Sequence, residues 1–464
     1  MNSSVFYNLS TAGYIVTLAA YCYHLIQSKK ELLRFSILVM AFSFLIQTWG
    51  MFLRWLEAGY IEVAAFEKAI GHALSGWSFF VVFTEHPPWS NLYEIMIYMS
   101  WGIVLVTMFL EIKWQLRWVR ELGLFLALLS LGVASLTDSS IKPLVPALKS
   151  WWIMIHVVSA SIAYASGAIA SIICLLALMR DTERITLKSF ASFGLFAMGI
   201  LLFLLAGGFR LVTDQAYLVK LLARAGEQIV NVVDLSEGGS QKPYSVPMPL
   251  VGWLFLLVCG AHFLGGIIIL KNEKWLLITF KICFFLSLIT FAFVLGHDLL
   301  KTKITLPAHM SHHLVPRGDW FIGFKSHSWS FSLLLIAIVI EAFLLLFLNN
   351  PELVRHRLPS TKHLELSAYK IITLAFFLMT VVLITGALWA HYAWGRYWAW
   401  DPKETGALAI WLNYGIYLHA RRTSGLSGPV SSLIGIMGFF VIIVGFLGVN
   451  LGLFADGLHT YGNS

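Results

Sequence analysis

The sequence predicts an all-α membrane protein, a polytopic bundle of about 12 transmembrane helices. Hydrophobic residues make up 58% of its 464 residues and charged residues only 12%, whereas soluble domains carry about 25% charged residues. Several apolar runs reach the roughly 20 residues that cross a bilayer. The basic residues give a net charge of +8, but they lie in short clusters between these runs and form no arm or stripe for nucleic acid. We therefore expect a lipid bilayer around the chain and no nucleic-acid partner.

The apolar runs give the predicted helices in order along the chain. They lie near residues 5–27, 34–54, 89–111, 121–137, 149–179, 190–212, 249–270, 275–297, 328–348, 368–393, 404–420 and 430–452. Two connections, 213–248 and 298–327, are long, and the first contains a stretch rich in Gly, Ser and Pro, which predicts an exposed excursion. The 4 cysteines lie isolated in apolar runs and form no CxxC pair, so we expect buried structural thiols.

The distribution of Lys and Arg predicts the orientation of the bundle. One set of alternate connections is short and basic: residues 28–34, 113–121, 180–188, 271–274, 355–363 and 420–422. The other set is longer, with acids balancing the bases: residues 55–88, 138–148, 213–248, 298–327, 394–403 and 453–464. The positive-inside rule places the basic set in the cytoplasm, so both termini face outward. The first residues lack the basic region and cleavage site of a signal peptide, so we expect none to be cleaved.

Residues 394–404, WGRYWAWDPKE, place three tryptophans and a tyrosine directly before charged residues. Asp401 is suited to cap a helix, Pro402 to occupy its first position and Glu404 to close a capping box. A helix is therefore predicted to start here. Residues 394–401 are called the aromatic loop below.

The side chains of the aromatic loop suit a flat ligand. They are those of Trp394, Tyr397, Trp398 and Trp400, and Gly395 follows the first of them. An interfacial aromatic belt is the common alternative, but a belt spreads its aromatic residues over many helix ends. Crowding into one loop favours a platform for a large, flat, apolar ring with polar edges. Porphyrin is such a ring, and Arg396 or Lys403 is available for its propionates.

Three histidines are candidate ligands for a haem iron. His156 lies a turn or two into a helix that begins on the outer side, and His459 follows the last span on that side. Either alone is more often a structural histidine, but together with the aromatic loop they predict a haem site. His419 lies roughly 25 Å beyond the start of its helix, near the cytoplasmic end. The alternative for His419 is a side chain that snorkels beside Arg421.

These stretches resemble a known family. AWGRYWAWDPKETGALAIWLNYGIYLHAR closely resembles the tryptophan-rich WWD signature of membrane proteins that handle haem for cytochrome c maturation, and more narrowly the CcsA family. Supporting stretches in the family's order are WSNLYEIMIYMSW at 89–101, SWWIMIHVVSASIAYASG at 150–167, ITGALWAHYAWG at 384–395 and GLHTYG at 457–462. The resemblance implies that His156 and His459 are axial ligands on the outer face. It also implies that His419 is the membrane-embedded ligand on the entry side.

The resemblance also implies a division of the chain and a set of site residues. Residues 1–180 would form N-terminal membrane helices with an outer-face histidine, 181–360 inserted helices with two outer loops, and 361–464 the WWD haem-handling core. The implied haem-binding residues are His156, His459, His419, Trp394, Gly395, Tyr397, Trp398, Trp400, Asp401, Lys403 and Glu404. The chain departs from the family at Gly406, where members commonly carry Trp. By topology alone, His327 of the insertion is an alternative to His156.

The implied function is haem transport and covalent attachment of haem b to an apocytochrome c with a CxxCH segment, together with a CcsB (ResB-type) membrane subunit. The protein would be a subunit of a holocytochrome c synthase, supplying orientation and ligation for the reaction of vinyl groups with thiols. The expected location is the bacterial inner membrane, rather than a thylakoid, with the aromatic loop on the periplasmic side. Two other classes stay open: a b-type cytochrome for quinol electron transfer, which needs a histidine pair within the spans, and a transporter of another hydrophobic molecule.

Overall fold

The computed structural model describes most of the chain, as two compact units, Met1–Met179 with Pro359–Ser464 and Arg180–Leu358. The described residues are 3–27, 29–84, 87, 89, 91–116, 118–135, 139–141, 143, 149–181, 249–299, 358–423, 425–443 and 445, with shorter pieces within 191–203, 217–248 and 314–345. The predicted spans at 190–212 and 328–348 are therefore covered only in part. His327 and His459 lie outside the described residues.

Helices dominate the described residues. In chain order they are α1 (Ser3–Gln27), α2 (Lys30–Ile70), α3 (Gly76–Thr84), α4 (Leu92–Trp114), α5 (Val119–Ser135), α6 (Trp151–Asp181), α7 (Pro249–Lys271), α8 (Leu276–Leu299), α9 (Thr361–Trp394), α10 (Pro402–Thr423) and α11 (Pro429–Ile443). Six of them are long and apolar enough to cross a membrane: α2, α4, α6, α7, α8 and α9. The helical membrane class is confirmed, and the number of about 12 spans stays a prediction.

Helix α2 is longer than its apolar run. Its 41 residues extend through much of segment 55–88, predicted as an outer loop, so that prediction is wrong for residues 55–70. This stretch is rich in Ala and Glu, which are good helix formers, and contains no proline. Gly71 ends the helix in the left-handed conformation, with φ 76°. At 1.5 Å per residue α2 is about 60 Å long, roughly twice the bilayer's hydrocarbon core.

Helix α6 is the most enclosed span, because 78% of its most apolar window is buried. Small residues let its neighbours approach. A Cβ at Gly167 would lie 1.9 Å from Tyr414 Oη of α10, and one at Gly102 of α4 would lie 3.1 Å from Ser161 O of α6. Small residues at helix contacts favour this close packing in membranes. The packing holds α6, and therefore His156 near its first turn, against the helices that flank the aromatic loop.

Buried ion pairs connect other helices of the first unit. Arg54 Nε of α2 donates to Glu94 Oε1 of α4 at 2.8 Å. Arg120, predicted in the basic cytoplasmic loop 113–121, is instead fully buried in α5 and donates to Glu111 of α4. Arg120 is drawn inside because the largely buried Glu111 carboxylate needs a charged partner. Removing one member of such a buried pair costs about 3–5 kcal/mol.

The second unit contains helices α7 and α8 and short antiparallel strands. The strands are β1 (Tyr217–Lys220), β2 (Leu222–Ala225), β3 (Gln228–Asn231), β4 (Val233–Asp234), β5 (Lys242–Pro243), β6 (Ser245–Met248), β7 (Leu314–Val315) and β8 (Trp320–Phe321). They form sheets of order β1-β6, β3-β2-β8 and β5-β4-β7. Tyr217 pairs with Met248, and Leu222 pairs with both Asn231 and Phe321. These strands lie in two segments, 213–248 and 298–327, that were predicted to be loops. The described part of the second unit therefore contains strands beside its helices.

Candidate functional site

The aromatic loop lies between two well-defined helix ends. Gly395 ends α9 with φ 71°, and its N–H donates to His391 O at 2.8 Å. The Lys403 N–H donates to Asp401 Oδ1 at 2.9 Å. In return, Glu404 Oε2 accepts from the Asp401 N–H at 3.3 Å. The predicted capping box and the start of α10 at Pro402 are confirmed. The loop is therefore held at both ends by local contacts.

His156 lies in the second turn of α6 and is hydrogen-bonded to α9. Its Nδ1 is 3.0 Å from the carbonyl oxygen of Val382. Because a carbonyl only accepts, Nδ1 carries the proton and Nε2 keeps a free lone pair for a metal ion. The imidazole also stacks on Trp389, with ring centroids 6.1 Å apart and planes at 26°. Two contacts from one helix thus fix the orientation of the ring.

The close approach of His156 to α9 depends on Gly386. A Cβ at this position would lie 2.9 Å from His156 Cε1 and 3.0 Å from its Nδ1. Val382, Gly386 and Trp389 are spaced by four and three residues, so they share one face of α9. That face supplies a hydrogen-bond acceptor, a gap and an aromatic surface for one imidazole.

His156 borders a cavity of about 150 Å³. Its walls come from α4, α6, α9, the aromatic loop and the first turns of α10. Among its lining residues are Met99, Tyr164, Trp389, Tyr397, Trp398 and Lys403. The volume is below the roughly 300–1,000 Å³ of pockets that enclose whole drug-sized ligands. A porphyrin held here would therefore widen the cavity or extend beyond it.

The structure brings part of the predicted site together. Among the predicted residues, those that line the cavity are His156, Tyr397, Trp398, Lys403 and Glu404. Gly395 and Asp401 have local roles at the two helix ends. Trp394 packs edge to face on Trp389, with centroids 4.9 Å apart. Trp400 has φ 58° and is 71% exposed, and it is not among the cavity residues.

His419, the predicted membrane-embedded ligand, does not line this cavity. His419 lies near the far end of α10, where its side chain is exposed and its Nδ1 is 3.5 Å from Thr423 Oγ1. Gly415 of α10 faces Phe376, because a Cβ at Gly415 would lie 3.4 Å from Phe376 Cε2. The Phe376 ring therefore packs beside the backbone at Gly415. His459 lies outside the described residues, so a pair of axial ligands stays a prediction.

Lys403 is the cation of this site. It is half-buried and lines the cavity, whereas Arg396 is exposed and does not. Burial lowers the pKa of Lys403 to about 8, and the nearby Asp401 carboxylate opposes part of this decrease. The ammonium group is therefore charged at neutral pH and positioned to meet an anionic edge of a ligand.

Sequence reasoning missed Val382, Gly386 and Trp389. The available signal was a glycine in an apolar helix, ITGALW, which indicates a close approach by another group. A second feature, the missing tryptophan at Gly406, has a structural explanation. A Cβ at Gly406 would lie 3.0 Å from Gly445 Cα, so the two backbones touch and leave no room for an indole.

Comparisons with known proteins agree with the features of this site. The family model described as Cytochrome C assembly protein matches residues 89–222 and 248–454, which include α4 to α11 and the aromatic loop. The cytochrome c biogenesis protein CcsA of Picosynechococcus sp. is 27% identical over 88% of this chain and 82% of its own length.

Two further relatives carry the same name. The protein of Synechocystis sp. is 27% identical over 97% of this chain and 94% of its own length, so the match extends through the inserted helices. The protein of Marchantia polymorpha is 48% identical over 22% of this chain and 31% of its own length. The chain therefore belongs to the cytochrome c assembly protein family, and within it to the CcsA-type integral membrane proteins of cytochrome c biogenesis.

Proposed function

We propose that the chain receives haem as a substrate, holds it between His156 and the aromatic loop, and presents it for covalent attachment to an apocytochrome c. The meeting of His156, Trp398 and Lys403 at one cavity carries this proposal, because His156 lies 242 positions before Trp398 in the sequence. They supply an imidazole for iron, an aromatic face for the ring and an ammonium for a propionate.

The substrate is haem b, whose vinyl groups accept the two thiols of a CxxCH segment by addition. The protein's own contribution is binding and orientation. Val382 keeps the proton of His156 on Nδ1, so that Nε2 faces the ligand. Tyr397 and Trp398 cover the ring, and Lys403 fixes its rotation through the propionate. His459 is the second iron ligand in this proposal. A ring held in one orientation presents its vinyl edge repeatedly to the incoming thiols.

The cavity volume of about 150 Å³ bears on how haem enters. The ring is larger than this space, so the aromatic loop moves outward when haem binds. The loop has an exposed side, since Tyr397 is 55% exposed and Trp400 is 71% exposed. The same exposed side is available to an apocytochrome c. These features support a site that loads and releases its ligand.

The remaining steps involve a CcsB (ResB-type) membrane subunit and His419. Haem enters near the cytoplasmic end of α10 and meets His419 there. The side chain of His419 is exposed on its own unit, which supports a second intramembrane ligand donated by the partner. The distribution of Lys and Arg among the connections supports an aromatic loop on the periplasmic side, and the proposed membrane is the bacterial inner membrane.

The deciding experiment is a reduced-minus-oxidised absorption spectrum of the protein purified in detergent with its CcsB-type partner. Wild type is compared with His156→Ala, His459→Ala and His327→Ala, each with and without imidazole. We expect a b-type spectrum that is lost in the first two variants and restored by imidazole. His327→Ala should retain it. His391→Ala is the matched control, because His391 is stacked on Tyr397 at 4.2 Å but does not line the cavity.

Three results would contradict the proposal. A wild type without haem makes the aromatic loop a gate for another hydrophobic molecule. Loss of haem in His327→Ala alone assigns the ligand to the inserted helices. Haem that is bound but never transferred to an apocytochrome c when the partner and reductant are present indicates an electron-transfer cytochrome instead.

A further inference from the structure

A second cluster of chemically active side chains lies inside the second unit. His262 of α7, Cys283 of α8 and Glu341 each offer one ligand atom, and these atoms lie within 4.8 Å of one another. All three side chains are buried. We propose that they bind one divalent transition-metal ion, for which zinc is the best match. This site is separate from the proposed haem function and does not depend on it.

The hydrogen bonds of this cluster leave polar atoms that a bound cation would satisfy. His262 Nδ1 is 2.8 Å from Val258 O, and His262 Nε2 is 2.6 Å from Glu341 Oε1. Both ring nitrogens face oxygens, so a proton must lie between Nε2 and Oε1 when no metal is bound. The second carboxylate oxygen, Glu341 Oε2, is buried without a hydrogen-bond partner among the described residues. Such an oxygen is costly inside a membrane protein, and a metal ion both replaces the proton and satisfies the carboxylate.

The charges of the three ligands select a divalent ion. A thiolate and a carboxylate carry two negative charges, and a neutral imidazole adds none. A divalent cation makes the total zero, which avoids the penalty for burying net charge between membrane helices. A monovalent or trivalent ion leaves one uncompensated charge. The mixture of sulfur, nitrogen and oxygen ligands is typical of zinc, which binds all three types.

The positions of His262 and Cys283 along their helices are also consistent with binding of one shared metal ion. His262 and Cys283 lie about 14 Å and 11 Å from the turn that joins α7 to α8, counted at 1.5 Å per residue. They are therefore at similar depth. Gly265 brings the two helices together, because a Cβ there would lie 2.5 Å from Thr279 Cγ2 and 3.6 Å from Cys283 Sγ.

Glu341 belongs to a buried helical face. The described residues of its stretch are Leu334, Ala337, Ile338, Glu341 and Leu345, and all of them are buried. Their spacing by three and four residues is that of one helix face. Leu345 joins Ile269, Phe280 and Cys283 in an apolar cluster beside the site. A metal ion would open the Nε2 to Oε1 distance from 2.6 Å to about 3.3 Å, the separation of two tetrahedral ligands about 2.0–2.1 Å from zinc.

The test is the metal content of the full chain, purified in detergent without chelator and measured by plasma mass spectrometry. We expect about one zinc per chain in wild type. His262→Gln, Cys283→Ser and Glu341→Gln should each lower this at least about tenfold. Cys259→Ser is the matched control, since Cys259 is another buried thiol of α7 and lies outside the cluster. It should retain the metal.

A second readout on the wild-type protein keeps the test independent of how the variants fold. Cobalt(II), added after chelation, should give a thiolate-to-cobalt charge-transfer band in wild type and in Cys259→Ser. The band should be missing in Cys283→Ser. A wild type that holds no metal and gives no such band overturns the proposal, as does equal loss of metal in Cys259→Ser.

Discussion

His156 of the first unit and His262 of the second unit have similar surroundings at Nδ1 and different surroundings on the other side of the ring. Each places Nδ1 against a backbone carbonyl oxygen, at 3.0 Å from Val382 O and 2.8 Å from Val258 O respectively. Each therefore directs Nε2 away from the backbone. At His156 the ring borders a cavity of about 150 Å³, whereas at His262 Nε2 meets Glu341 Oε1 at 2.6 Å.

This difference indicates which ligand each histidine is built for. The carbonyl that holds His156 belongs to another helix, 226 residues away in the sequence, so it fixes the ring relative to α9 and the aromatic loop. The carbonyl that holds His262 lies four residues earlier in the same helix and fixes only the rotamer. An imidazole beside an open cavity suits a ligand with a large body. An imidazole enclosed by a carboxylate and a thiol suits a bare ion.

The largest expected effect is a separation of the two sites by single substitutions. His156→Gln should lose bound haem at least about tenfold, because even residues that only orient a metal ligand are worth about 10–100-fold in affinity. It should keep zinc. His262→Gln should show the reverse. Haem is measured as the pyridine haemochrome and zinc by mass spectrometry on the same samples. If either variant lost both haem and zinc while its elution from size exclusion was unchanged, the two sites would not be independent.

A smaller effect is expected when the gap beside His156 is filled. Gly386→Ala places a Cβ 2.9–3.0 Å from the imidazole, so the ring must shift away from Val382. We expect about a tenfold loss of haem affinity, although alanine favours the helix by about 1 kcal/mol. Gly132→Ala in α5 is the control, because nothing lies within 4 Å of its added Cβ. Haem titration followed by absorbance gives both affinities, and equal affinities would remove Gly386 from the site.

The local features of the site could be predicted from the sequence. Asp401, Pro402 and Glu404 lie within four residues, so their capping box depends on short-range geometry that spacing alone determines. The spans that became α6, α7 and α8 followed from apolar length. His156 was predicted from its position on the side of the aromatic loop and from the resemblance of its stretch to a family. No spacing rule connects it to Lys403, because their meeting at one cavity depends on how α6 packs against α9 and α10.

The missed features have separate physical causes. His262, Cys283 and Glu341 each lie in a separate apolar run, and only the relative rotation of three helices brings them together. Arg120 resembled a loop residue because its partner, Glu111, lies nine positions away across a turn. The extension of α2 beyond residue 54 was missed because a hydropathy pattern marks where a helix is apolar, not where it ends.

The aromatic loop offers a third, more moderate test, in which two neighbouring tryptophans are compared. Trp398 lines the cavity, whereas Trp400 is 71% exposed and does not. Trp398→Ala should therefore weaken haem binding by about 0.5–1.5 kcal/mol, or roughly two- to twelvefold. Trp400→Ala should leave haem binding unchanged and instead affect transfer to the apocytochrome c. Equal losses of haem affinity would indicate that the loop rearranges fully on binding.

The smallest expected effect is a pH dependence that only the His156 site should show. Burial lowers the pKa of Lys403 to about 8, so the side chain is a cation below that pH and neutral above it. Its attraction for a propionate is present at pH 7 and is lost as the pH rises through the pKa. A bound carboxylate stabilises the cation, so the midpoint of the haem-bound protein lies above that of the free protein.

Haem retention should fall about two- to fivefold between pH 7 and pH 10, consistent with a partly screened ion pair of about 0.5–1 kcal/mol. Lys403→Arg stays charged throughout this range, so its profile should be flat at the high level. Lys403→Met carries no charge, so its profile should be flat at the low level. A wild-type slope that persists in Lys403→Met would assign the titration to another group. Zinc content, measured in the same samples, should not follow the Lys403 profile, because the three ligands of that site belong to the other unit.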